Sequence, residues 1–167
     1  EPVPVSEPDS MEEAEVTATR TEAHTIAAHH LAEGRADSAA FRRQVSEARE
    51  LVAQMHRRQA GLPYEAGAEQ RAEVWRLERK VHDTYEQAAY HLGQAVEALT
   101  LAATLPQHAL ESRESLAMLH RDAWHAAAEV GDVVFAAFHR SRARIYDDGV
   151  LVDELDGRAT LSVSSRP

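Results

Sequence analysis

The chain has 167 residues, 44% apolar and 5% aromatic, and its 18 basic and 28 acidic side chains give a formal net charge of −10. That length fits one domain with tails, and the acidic balance argues against a nucleic-acid footprint or an anionic membrane surface as partner. The absence of cysteine excludes disulfides, zinc ribbons and thiol catalysis. No run is long and apolar enough to cross a bilayer and no signal-peptide pattern is present. The expected location is cytoplasmic, with the start at Glu1 rather than Met reading as processing or trimming.

Alanine supplies much of the apolar content, and the β-branched and aromatic residues that favour strands are sparse before Ile145. Small residues suit helices packed side by side. Residues 1–9 carry Pro2, Pro4 and Pro8 among acidic and small neighbours and read as an extended arm. Ser10 and Glu13 fit a capping box, so a first helix is expected from about Met11. Gly34 is the expected end of that helix, with Asp37 or Ser38 capping a second, because all three are poor interior residues. The alternative is one long helix, since the stripe Ala27, Leu31, Gly34, Ser38, Phe41, Val45, Ala48, Val52, Met55 runs straight across. Gly61, Pro63 and Gly67 then form a loop.

From Glu69 to Leu105 one stripe holds throughout: Val74, Leu77, Val81, Tyr85, Ala88, Leu92, Ala95, Leu99 and Ala102. This predicts a helix roughly 55 Å long at about 1.5 Å per residue. Trp75 falls off the stripe, where it can cover the Gly61–Gly67 loop. Pro106 ends this helix and forces a tight antiparallel turn. A last helix is expected from Ala109 to Arg144, with Leu116, Leu119, Ala123, Ala126, Val130, Val133 and Ala137 as its buried stripe. Residues 147–167 read as a tail, either a short docked hairpin or disordered, in which Asp148-Gly149 and Asp156-Gly157 are hairpin-turn dipeptides, with short strands at Ile145-Tyr146, Val150–Val152 and Thr160–Val163. The expected fold is therefore all-α: an antiparallel bundle of four helices, or three if Gly34 is interior, built on a long helical hairpin over residues 10–146.

Phosphate loops, a strand-linked glycine fingerprint and a Gly-x-Ser-x-Gly elbow are all absent, and the reading leans away from an enzyme. Three helices carry His-x-x-x-Glu: His29 with Glu33, His82 with Glu86, and His125 with Glu129. Residues four apart share a helix face, so each pair is a candidate for a transition metal. Ferritin-like bundles instead use Glu-x-x-His, which no glutamate here begins, and the hemerythrin pattern is also missing. Solvated ion pairs are the favoured reading, and no cofactor is expected. His30 and His91 lie nearer apolar faces and are expected to bond to a neighbour at the core edge. Protonation of all ten histidines would cancel the net charge of −10, so self-association is expected as pH falls through about 6.5.

On the last helix a second stripe joins Trp124, Ala128, Gly131, Phe135 and Phe138. Large aromatics beyond the core face suit a protein partner or a homo-oligomer, against the plainer alternative of a wide core. The functional expectation is a non-enzymatic interaction or structural subunit that self-associates through this helix. The alternatives are a His/Glu metal-binding bundle or a small-ligand sensor with a pocket between alanine-rich helices. The terminal Leu161-Ser162-Val163-Ser164-Ser165 resembles the targeting tails of encapsulin cargo proteins, which look like Leu-Thr-Val-Gly-Ser-Leu-Arg; Ser164 and Arg166 depart from that pattern. The resemblance implies docking of an extended tail into a shell groove.

Overall fold

A computed structural model describes residues 10–157. The arm at residues 1–9 and the Thr160–Val163 and Leu161–Arg166 features lie outside the described residues. Five helices follow one another: α1 (Ser10–Ala60), α2 (Ala68–Ala102), α3 (Pro106–Glu129), α4 (Val133–Tyr146) and the short α5 (Val152–Leu155). The described residues include no strand, and no helix among them is long and apolar enough to cross a membrane. The chain is an all-α antiparallel bundle.

Its long hairpin is α1 with α2, not the pair around Pro106. The expected break at Gly34 does not occur, and α1 runs unbroken through 51 residues. The residues that looked like a stop and a cap serve the packing of α2 instead. Gly34 is buried against Leu99, Asp37 receives His91 of α2 at 2.7 Å, and Ser38 Oγ donates back to Gly34 O at 2.7 Å. A capping side chain that finds a partner on the next helix no longer competes with the helix it sits in. Gln70 Oε1 accepts from the Gly67 amide at 3.0 Å to start α2, and Pro106 stands at the first turn of α3. Trp75 lines a cleft with Leu62, Pro63 and Tyr64, as its off-stripe position suggests.

Running parallel to α1, α3 is tied to it by three ion pairs, Arg35–Glu111, Arg42–Asp122 and Arg49–Glu129, each 2.6 Å. The arginines are seven residues apart on α1, which keeps them in line along one edge. Half-exposed pairs of this kind contribute at most about 1 kcal/mol each. The core between α1, α2 and α3 is made of Leu31, Phe41, Val45, Leu99, Leu116 and Leu119 with alanines between them. Complete burial of a leucine such as Leu99, Leu116 or Leu119 contributes about 1.5–3 kcal/mol.

The expected rod from Ala109 to Arg144 is two helices. Gly131 takes φ +78°, a left-handed conformation that suits glycine. Around it the Asp132 amide donates to Ala127 O at 2.9 Å and the Gly131 amide to Ala128 O at 3.2 Å, the paired bonds of a Schellman stop. Asp132 then caps α4 by accepting from the Phe135 amide at 2.9 Å. The chain reverses, and α4 packs antiparallel on α3 and against α5 without approaching α1 or α2. This corrects the buried stripe: Leu116, Leu119 and Ala123 are buried, but Val130 and Val133 are 58% and 78% exposed. Val81, on α2, is half-buried.

Among the described residues, the hairpin expected after residue 147 is replaced by a helical turn. Leu151 and Leu155, four apart and buried, sit one turn from each other and pack on Ala117, Ala143, Trp124 and Tyr146. Asp147 Oδ1 accepts from the Leu151 amide at 3.0 Å, while Arg140 and Arg144 hold Leu155 O. Two apolar contacts and a clamped carbonyl favour a helical turn over the Asp-Gly hairpin.

Candidate functional site

The stripe of Trp124, Ala128, Gly131, Phe135 and Phe138 does not survive as one surface, because the reversal at Gly131 splits it. Trp124 stays on α3, half-buried, with the Arg140 guanidinium 5.3 Å from its ring centre. Phe135 and Phe138 move to α4, where they are 55% and 48% exposed. Val130, Val133 and Val134 around the same turn are exposed as well, and the Phe135 and Phe138 rings lie 6.5 Å apart.

The six metal candidates are dispersed. His29–Glu33 and His82–Glu86 are exposed pairs within their own helices, at 3.1 and 3.2 Å. His125 turns away from Glu129 to meet Glu154, and Glu129 pairs with Arg49 instead. No group of three or more His, Asp or Glu side chains able to hold a metal ion is found among the described residues. His30 and His91 bond Glu33 at 3.2 Å and Asp37 at 2.7 Å, as their position near the core edge suggests.

Sequence reasoning passed over the two histidines that are buried, His120 on α3 and His139 on α4, each 4% exposed. Their Nδ1 atoms lie 2.9 Å apart, so one nitrogen carries the shared proton and the other accepts it. The His120 ring also lies parallel to Tyr146, 6° between planes and 5.7 Å between centres. Burial, then the charges of His139 and Arg142, push His120 down to about 4, and burial lowers His139 as well. Both are neutral at pH 7. His139 Nε2 is buried without a partner. The available signal was position: His120 follows Leu119 inside the apolar stripe, and His139 falls three residues after Ala136 and four before Ala143 on the buried side of α4.

Because α4 stands off from α1 and α2, an apolar groove of about 170 Å³ opens between them. Phe41, Tyr85, Leu92 and Phe135 are among its walls, and Asp132 and His139 supply its polar groups. Such an arrangement offers an apolar shape, while the unpartnered Nε2 of His139 is itself buried. No family model, no curated protein and no solved structure matches this chain.

Proposed function

We propose that this chain is a non-enzymatic helical subunit that pairs with a second copy of itself through the exposed apolar start of α4. The observation that carries the reading is the run of apolar side chains at Val133, Val134, Phe135 and Phe138, between 48% and 79% exposed within six positions. Isolated apolar side chains on a surface are ordinary; a contiguous set is what marks an interaction face.

A second copy is the simplest occupant, because a twofold contact sets the patch of one molecule against the same patch of the other. An antiparallel crossing of α4 with itself near Phe135 does this and opposes the two helix dipoles. Arg142 lies 5.4 Å from the Phe138 ring centre, which places a cation at the edge of the apolar patch, where a rim charge is expected.

Wild-type protein is expected to sediment as a dimer at micromolar concentration, and Phe135→Asp or Val134→Asp as a folded monomer. Analytical ultracentrifugation with circular dichroism decides this. A wild-type protein that stays monomeric at every accessible concentration removes the reading. Burial holds His120 and His139 below their ordinary value, so at pH 6 the ten histidines are not all charged and the net charge of −10 is not cancelled.

A further inference from the structure

We propose that α4 and α5 form an arm that acid releases from α3, swinging about Gly131 and Asp132, with the buried His120–His139 contact as its catch. This goes beyond pairing of the subunits and needs no second copy.

Connectivity comes first. In backbone packing α4 neighbours α3 and α5 and neither α1 nor α2, so one interface holds the arm to the bundle. The chain enters the arm through Gly131, at φ +78°, and Asp132, and a few residues between elements are enough for a hinge. The interface is built largely from small side chains, with Ala117 of α3 packed on Ala143, Leu151 and Leu155 of the arm.

The catch sits in that interface. The two Nδ1 atoms lie 2.9 Å apart, and each histidine is 4% exposed. One proton fits between those nitrogens. A cationic imidazole donates from both of its nitrogens, and in the docked arm His139 has no acceptor at Nε2 and a second imidazole at Nδ1. With both rings charged, two N–H groups would meet head on. The docked arm therefore excludes the proton that the released arm, with its imidazoles in water, accepts.

The surroundings act in the same sense. Tyr146 stacks on His120, and the Phe135 and Phe138 rings lie 5.5 and 5.0 Å from that of His139. Arg142 adds a positive charge that opposes a proton on His120. Asp132 shares a groove wall with His139 and with Tyr85 of α2, but its Oδ1 accepts from the Phe135 amide. One contact opposes the release: His125 of α3 meets Glu154 of α5 at 2.5 Å and binds it more strongly when charged. Both side chains are 40% exposed or more, so the pair holds the arm back by at most about fivefold.

His120 rises from about 4 in the docked arm toward its ordinary 6.5 in the released one. Acidification from pH 7.5 to 5 thus raises the ratio of released to docked arm about 30-fold through His120 alone.

The test is amide hydrogen exchange of the full chain by NMR at pH 7.5 and pH 5, corrected for intrinsic rates, with and without low urea. At pH 5 the amides of Ala143 and Leu155 are expected to open more often, and with a smaller urea dependence, than those of Ala95 and Leu99 in α2. Their opening constant is expected to rise at least about fivefold between the two pH values, and about 30-fold in Glu154→Gln, which removes the opposing pair. His120→Phe/His139→Leu is expected to lose the rise. The proposal is overturned if arm and α2 amides share one opening constant and one urea dependence at pH 5. It is equally overturned if Glu154→Gln shows less than about a threefold rise, or if the double variant folds and keeps the full rise.

Discussion

Gly34→Val is expected to destabilise the fold by about 3 kcal/mol or more, and even Gly34→Ala to cost about 1 kcal/mol. By helix propensity alone the sign would be opposite, since alanine in a helix interior is worth about 1 kcal/mol over glycine. Packing decides it. A Cβ at residue 34 would lie 2.6 Å from Leu99 Cγ, 2.9 Å from its Cδ2 and 3.1 Å from its backbone nitrogen. The first two atoms belong to a side chain with no accessible surface, which has nowhere to swing. The third belongs to the backbone of α2, so the helix itself must retreat and loosen its neighbours. Leu99→Ala should cost about 2–5 kcal/mol alone and, combined with Gly34→Val, less than the sum of the two. A double-mutant cycle in urea is expected to show coupling of about 1 kcal/mol or more. A Gly34→Ala protein more stable than wild type would mean that the helices do not meet there.

Acidification is expected to remove about 2 kcal/mol of stability between pH 7.5 and pH 5, and about 3 kcal/mol by pH 4, through His120 alone. Above pH 6.5 neither the folded nor the unfolded chain protonates this imidazole, so nothing is lost. Below 6.5 the unfolded chain takes up a proton that the folded chain refuses until about pH 4. Stability therefore falls across that window and levels below it. The buried His139 acts in the same direction. Urea midpoints at pH 7.5, 6 and 5 measure the slope. His120→Phe/His139→Leu keeps a ring beside Tyr146 and removes both titrations, and its slope above pH 5 should be shallower by about 2 kcal/mol. An equal slope in the double variant would show that other groups carry the acid sensitivity.

Periodicity made α2 legible from Ala68 to Ala102, because a nine-residue stripe has few alternative explanations. It failed at two glycines for opposite reasons. Gly34 and its neighbours Asp37 and Ser38 are chemically the same whether they end a helix or receive another one. Only the position of Leu99 and His91 on α2 separates the two cases, and that is a long-range fact. Gly131 failed the other way: spacing of three and four continues through it, and one positive φ angle cancels all of that pattern. The consequences reached the function, since the stripe drawn across Gly131 mixed a half-buried Trp124 with an exposed Phe138. The His120–His139 contact depends on the same reversal. Histidines nineteen residues apart share no helix-face signal, and exposed His-x-x-x-Glu pairs, which are only local, drew attention instead.

The turn at Gly131 and Asp132 has one more consequence. The residues on either side of it keep helical spacing in continuous register, so the reversal rests on one backbone angle and one carboxylate. A chain that lost them would straighten from Pro106 to Tyr146 and carry α4 away from its seat on α3. Its Ala136, His139 and Ala143 surface would then be satisfied on a neighbouring molecule, whose own α4 would come back in exchange. The bend is thus what keeps each molecule's fourth helix its own.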